Sequence, residues 1–224
     1  KYFGNLKNPI NAKERIKYYI PKPEDSYNIV TDPEQVSSSF SLRRPIENKE
    51  LKTQADYYEN FQNEIAYSIF YERMNDISKE MNSPFESAYI YESGHGEENN
   101  NLELFVRPIE GRYLESIERI KKEYDRIQSY GFSKIEFDNL IAGYKSSLED
   151  MYNNKNSEET KNKLDYLMGF INSESIYIST EYYYNLSLSI LEKITLEDIN
   201  FATKDWFNKT YRTIIVQEPE SSVQ

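Results

Sequence analysis

The chain has 224 residues and a net charge of −11, which is long enough for one large domain or two small ones. That charge argues against binding nucleic acid or an anionic membrane surface, because both require faces rich in lysine and arginine. The single histidine, His95, and the lack of cysteine exclude a Cys-His pair and leave too few nitrogen and sulfur ligands for an ordinary zinc site. The composition therefore predicts a domain that serves chemistry located elsewhere.

Two further features of the sequence narrow the class of protein. The 21 tyrosines argue against an acidic disordered tail. The lack of cysteine means that there is no disulfide framework, which fits either a reducing compartment or an exported protein without bridges. The sequence has no apolar run of about 18 residues and no recognisable signal peptide. Residues 1–6 (KYFGNL) have the character of the end of a helix, so we expect the natural protein to extend further toward its N-terminus.

The first third of the chain predicts a linker, two strands and a long helix. Prolines and charges in residues 8–25 are typical of a linker, and residues 27–31 are a candidate strand. Residues 36–44 alternate and end at Pro45, which predicts a second strand. Residues 51–79 contain no proline or glycine and predict a long amphipathic helix. Its apolar side chains recur at helical spacing at Tyr58, Phe61, Ile65 and Ile69.

A strand hairpin, five helices and a last strand are predicted after that helix. Residues 85–93 and 102–107 are two strands joined by a polar tip, and residues 112–130 form a helix that Gly131 ends. An apolar stripe marks this helix at Leu114, Ile117, Ile120, Tyr124 and Ile127. Capping boxes open the next helix and a later one, at Ser133 with Glu136 and at Thr195 with Asp198. The remaining elements are helices over about 158–171 and 178–193, a helix ending near 208, and a strand over 212–217.

These elements predict an α+β fold in which an antiparallel sheet of about four to six strands packs against several helices. Two hairpin-like strand pairs and the late strand would form the sheet. Helices would account for about half of the chain.

Several motifs resemble one family when they are taken in order. The chain begins with KYFGNL and has DPEQVSSS at residues 32–39, SPFESA at 83–88, GFSKIE at 131–136 and ITLEDI at 194–199, and its last strand closes near Pro219. This order is similar to the non-catalytic second domain of the M16 zinc metallopeptidases, the insulinase, pitrilysin and processing-peptidase group. The resemblance divides the chain into the end of a preceding domain and a linker (1–25), the non-catalytic domain (26–219) and a tail (220–224).

The resemblance implies a LuxS/processing-peptidase metallohydrolase-like fold and a parent protein that is a zinc metalloendopeptidase. The family's zinc site needs an inverted His-x-x-Glu-His motif on a helix. This sequence has no such motif, so it offers no catalytic or metal-binding residue and its substrate-binding residues are unknown. The chain alone should be inactive and hold no cofactor, and zinc is expected in the parent's catalytic domain. The implied partners are that domain, in the same chain or in another subunit, and a peptide substrate, in a bacterial periplasm or cell envelope.

Other interpretations of the sequence remain open. The chain could be an inactive M16-like scaffold or assembly partner, or an unrelated tyrosine-rich module that binds peptides or glycans. His95 with Glu97 and Glu98 could ligate a metal, although a polar hairpin tip is the simpler interpretation. Tyrosines 182–184 could stack on a ligand or pack partly into the core. Sequons at Asn185 and Asn208 are common by chance in asparagine-rich chains and are given no function.

Overall fold

One five-stranded sheet forms the centre of the molecule. The computed structural model describes residues 7, 25–47, 49–94, 100–157, 159–173, 176–204, 206–207 and 212–220. The strands are β1 (Ser26–Asp32), β2 (Ser39–Ile46), β3 (Phe85–Gly94), β4 (Asn100–Pro108) and β5 (Thr213–Pro219). Their order across the sheet is β1-β5-β2-β4-β3. The predicted α+β class and mostly antiparallel sheet are confirmed.

The pairing of the first two strands differs from the expected hairpin. β5 lies between β1 and β2, parallel to β1 and antiparallel to β2. β2 also begins at Ser39, three residues later than predicted, and Val36 is 94% exposed. It continues through Pro45 because β5 pairs with β2 only as far as Arg43. Beyond that point β2 has one neighbour, where a missing backbone N–H is tolerated. The β3–β4 hairpin is confirmed.

Within the described ranges six helices accompany the sheet, and they match the predicted elements closely. They are α1 (Gln54–Ser78), α2 (Tyr113–Tyr130), α3 (Lys134–Asn154), α4 (Thr160–Ser173), α5 (Thr180–Leu191) and α6 (Leu196–Thr203). The last of these ends five residues earlier than expected, and the buried side chains of Trp206 and Phe207 follow it. None of the helices in the described ranges is both long and apolar enough to cross a bilayer.

Short polar motifs fix where the helices begin. Both predicted capping boxes are present: the backbone N–H of Ser133 donates to Glu136 at 2.7 Å, and that of Thr195 donates to Asp198 at 2.9 Å. A third capping box joins Thr53 to Asp56 at the start of α1. Each box satisfies two backbone amides that the helix itself leaves unpaired. Gly131 ends α2 with a φ of +70°, a conformation that glycine adopts without steric cost.

The hydrophobic core lies between the sheet and α1. Phe61, Ile65, Phe70 and Met74 of α1 are fully buried, as is Val106 of β4. The stripe predicted for α2 is wrong in its first part, where Leu114 is 74% exposed and Ile117 is 38% exposed. Ile120 and Ile127 are buried as expected, while Glu123 is buried beside Arg119 and Arg126. On α3 only Leu148 is buried, and Phe137, Leu140, Ile141 and Tyr144 pack against the core while partly exposed.

The capping carboxylates make stability depend on acid pH. Hydrogen bonds from the side chain and then the backbone of Thr53 lower the pKa of Asp56 to about 2, and Thr195 likewise lowers the pKa of Asp198. A carboxyl whose pKa is depressed in the folded state stabilises it above the unfolded pKa of about 4 and loses that effect as pH falls. We therefore expect the urea-unfolding free energy to decrease between about pH 5 and pH 2. The Asp56→Asn variant should lose less over this range, and an identical profile would contradict the assignment.

Candidate peptide-binding edge and face of the sheet

β1 is an exposed edge strand. Every residue of β1 is exposed, including Tyr27 at 62% and Ile29 at 57%. Within the described residues β1 pairs with β5 alone, so its other side has no strand partner there. An exposed apolar edge with unpaired backbone groups is the template on which another extended chain adds. β1 is therefore a candidate site for strand addition.

The hydrogen-bond pattern shows which residues of β1 face the free edge. The N–H of Ser26 donates to the carbonyl of Arg212 at 3.0 Å, so Ser26 points toward β5. Alternate residues of a strand point their backbone groups to opposite sides. The N–H and C=O groups of Tyr27, Ile29 and Thr31 therefore point away from β5, where an added strand would bind them.

In the described part of the chain the hydrophobic core lies on one face of the sheet, and the opposite face is here called the open face. The face toward the helices carries apolar side chains such as Leu102, Leu104 and Val106. Side chains of the opposite parity form the open face, where Tyr89, Tyr91 and Phe105 lie outside the hydrophobic core. The ring of Tyr89 is 5.2 Å from that of Phe105 and 5.5 Å from that of Tyr91. Partly exposed aromatic side chains of this kind are typical of interfaces.

An ion pair lies beside these rings on the open face. Glu103 is 2% exposed, and its two oxygens lie 3.0 and 2.8 Å from Nη2 and Nε of Arg43 on the adjacent strand. The Ser93 hydroxyl donates to Glu103 at 3.2 Å. Burial, and then the charge of Glu103, raises the pKa of Tyr91 to about 12, so this tyrosine stays neutral at physiological pH. The ion pair compensates a carboxylate that would otherwise be costly to bury.

A concave region, separate from the sheet edge and the open face, lies between α1, α2 and α3 and has a volume of about 760 Å³. Arg73 forms a bidentate pair with Glu136 at 2.7 and 2.8 Å, and its guanidinium lies 5.2 Å from the ring of Phe132. Burial opposes ionisation of Glu136, but the hydrogen bonds from Arg73 and Ser133 outweigh it and lower its pKa. Three arginines and five carboxylates line this groove. The Arg73–Glu136 pair joins α1 to α3, and Arg119 on α2 pairs with Glu80 just after α1.

The three consecutive tyrosines separate into different environments. Tyr183 packs against Tyr57 and Phe61, with ring centroids 6.5 and 6.4 Å apart, and Tyr184 stacks on Tyr152 at 4.4 Å. Tyr182 is exposed, and its hydroxyl accepts a hydrogen bond from Gln54. The structure therefore favours the interpretation that these tyrosines pack partly into the core. It does not show them forming one continuous surface on which a ligand could stack.

Some sequence features fall outside the described residues. These are His95, Glu97 and Glu98 of the hairpin tip, Asn208 of the second sequon, and most of the residues assigned to the preceding domain, linker and tail. In the first sequon Asn185 is exposed on α5 and Ser187 is buried. Across the described ranges no group of three histidine, cysteine or acidic side chains could hold a metal ion.

Comparison with protein-family models and with curated protein sequences gave no match. Comparison with solved structures gave several matches. The periplasmic protease PqqL from Escherichia coli matches with a TM-score of 0.84 and 14% identity, over 92% of this chain and 23% of PqqL. A protein described as a predicted insulinase family protease from Yersinia pestis matches at 0.82 and 14%, over 99% of this chain and 48% of that one. A peptidase M16 inactive domain from Pseudomonas fluorescens matches at 0.64 and 12%, over 92% and 46%.

The chain has the fold of M16 protease structures. The resemblance that the sequence motifs indicated is therefore confirmed for the fold. This chain spans less than half of each of the three matched structures, and it covers 44% of the structure of the first half of PqqL. This chain therefore corresponds to a part of each of these longer proteins.

Sequence analysis missed the free edge of β1 and the Arg43–Glu103 pair. The edge could not be found because it depends on β5 inserting between β1 and β2. A signal for the ion pair was present, since Glu103 stands between Leu102 and Leu104 in the apolar middle of β4. A charge at an alternate position of such a strand indicates a specific partner on the neighbouring strand.

Proposed function

We propose that this chain is a non-catalytic domain of an M16-type zinc metalloendopeptidase, and that it helps to enclose and bind peptides for a catalytic domain outside this sequence. The free edge at β1, in a domain with the M16 fold, is the observation that carries the proposal. Such an edge serves a peptidase because an extended peptide is the conformation that proteolysis needs. The sequence contributes no His-x-x-Glu-His motif of its own.

A bound peptide would lie along β1 as a sixth strand. Its backbone would hydrogen-bond to the backbone groups of Tyr27, Ile29 and Thr31. These bonds do not depend on the peptide's sequence, because all peptides share the same main-chain groups. The side chains of Tyr27 and Ile29 would contact alternate residues of the peptide. The net charge of −11 attracts cationic peptides, and at physiological salt this attraction acts within a Debye length of about 8 Å.

The open face of the sheet would contact the neighbouring catalytic domain, in the same chain or in a partner subunit. Tyr89, Tyr91 and Phe105 offer aromatic area there, and the half-exposed Arg43 offers a charge at its margin. We infer a location in a bacterial cell envelope, where PqqL, as a periplasmic protease, is also placed.

A scaffold without peptidase activity is the second candidate function. The match to a peptidase M16 inactive domain favours it, because that structure shows the fold in a domain described as inactive. In that case the same edge and face would hold another subunit or a peptide without cleavage.

Zinc content and peptidase activity distinguish the two candidates. The full-length protein and this 224-residue chain are each assayed with a quenched fluorescent peptide, with and without a chelator. We expect stoichiometric zinc and chelator-sensitive cleavage in the full-length protein, and neither in this chain. If the full-length protein holds no zinc and cleaves nothing, the peptidase assignment is wrong and the scaffold is favoured.

A further inference from the structure

A cavity between the helices combines aromatic rings with a carboxylate, and strand addition at β1 does not involve these groups. Its volume is about 730 Å³, and it lies between α1, the C-terminal end of α3, α4 and α5. Its aromatic lining comes from several helices and consists of Tyr57, Phe61, Tyr166, Phe170 and Tyr183. One carboxylate, that of Glu64 on α1, lies among these rings.

Glu64 is partly buried and has no cationic partner in the described part of the chain. Its Oε1 accepts one hydrogen bond, at 2.8 Å from the Asn60 side chain, and the described ion pairs do not include it. Burial and the nearby charge of Glu92 raise its pKa, with the Asn60 hydrogen bond opposing them. A carboxylate in this state is stabilised by an incoming positive charge.

Lys155 is the lysine that lines the cavity, but it is engaged elsewhere. Its Nζ lies 3.3 Å from the ring centre of Tyr152, in a cation–π contact. Glu159 adds a second carboxylate near the start of α4. The charged lining therefore has two acidic side chains for one basic one, and that basic side chain already has an aromatic partner.

The aromatic rings are arranged as two groups. Tyr183 packs against Tyr57 and Phe61 where α5 meets α1. Tyr166 and Phe170 of α4 make an edge-to-face pair at 4.8 Å. Aromatic faces attract ammonium groups through the ring quadrupole, and the attraction is stronger where water is excluded. An aromatic lining around a carboxylate suits a small organic cation better than an anion or a neutral group.

We propose that this cavity binds an alkylammonium group supplied by a lysine side chain of a bound peptide. The ammonium pairs with Glu64, and the four-carbon stem packs against the more accessible rings of Tyr166, Phe170 and Tyr183. The proposal rests on the proposed function for the source of the lysine, and it adds a preference for lysine-bearing peptides that strand addition alone does not give.

The test compares two short alanine-rich peptides, capped at both ends, that differ at one central position. One carries lysine and the other norleucine, which keeps the four-carbon stem without the ammonium. Fluorescence anisotropy with the full-length protein should give a dissociation constant about tenfold lower for the lysine peptide. The Glu64→Gln variant should bind both peptides equally. Tyr166→Leu, on the more exposed helix, should reduce the preference severalfold.

Glu118→Gln is the matched control, since it removes the same charge from an exposed position on α2. It should keep the preference, and thermal unfolding should show that all three variants are folded. Equal binding of the two peptides by the unmodified protein, or a preference that survives Glu64→Gln, would overturn the proposal. So would tight Glu64-dependent binding of spermidine without any preference for the lysine peptide, because the occupant would then be a free polyamine.

A variant of β1 separates this proposal from the proposed function. Ile29→Pro should weaken both peptides alike and leave their ratio unchanged. If the unmodified protein shows no preference for the lysine peptide while Ile29→Pro still weakens binding, the lysine pocket is refuted and strand addition is supported. If Ile29→Pro has no effect while the ratio remains, strand addition fails and the pocket stands.

Discussion

Replacing Ile29 by proline is expected to weaken binding of an extended peptide to the full-length protein by about tenfold or more. The Ile29 N–H points to the free edge of β1, and proline removes that donor and places a ring where the added strand would lie. The ladder between β1 and β5 does not use this N–H, so the sheet should persist. Isothermal titration with an uncleaved peptide measures the effect, and thermal unfolding reports the fold.

Two control variants isolate the backbone contribution. Ile29→Ala shortens the side chain but keeps the N–H, so we expect a smaller loss of binding. Asn28→Pro removes an N–H that faces β5 and should lower stability more than Ile29→Pro does. Strand addition at β1 would be refuted by an Ile29→Pro variant that binds peptide as tightly as the unmodified protein.

Replacing Phe70 by alanine is expected to lower the free energy of unfolding by about 3–5 kcal/mol. Phe70 is completely buried on α1, and its ring meets that of Trp206 edge to face at 5.9 Å. The variant therefore loses both buried apolar area and an aromatic contact. Trp206 is the single tryptophan of the chain, so its fluorescence follows urea unfolding directly.

The adjacent residue supplies the control for this core variant. Tyr71 is the next residue of α1 and is exposed, so Tyr71→Ala should change the free energy of unfolding by less than about 1 kcal/mol. Comparable losses for the two variants would show that α1 does not bury Phe70 against the sheet.

Local sequence patterns made the helices and the β3–β4 hairpin predictable. The spacing of Phe61, Ile65 and Ile69 identified α1, and the capping boxes at Ser133 and Thr195 fixed the starts of α3 and α6. These signals involve residues within a turn or two of each other, so neighbouring sequence is enough to read them. The orientation of α2 was less predictable, because Glu123 rather than an apolar residue occupies part of its buried face beside two arginines.

The candidate sites depend on long-range pairing, which local patterns do not contain. Nothing near Ile29 indicates that Val216 lies beside it. The cavity around Glu64 likewise joins residues of four helices, from Leu51 to Tyr183. Sequence reasoning could therefore predict the fold class and the lack of a zinc motif, but it could not place a binding edge or a pocket.

The pairing of β1 with β5 also has a consequence for the order of folding. β1 is made before β5, yet its sole strand partner in the described residues lies about 187 positions later, as the contact between Ser26 and Thr213 shows. Closing so long a loop is entropically costly and slow, so β1 should join the sheet after the α1–β3–β4 core has formed. Until then its apolar residues have no strand to pair with, and a nascent chain stalled before β5 would be prone to aggregate through this same segment.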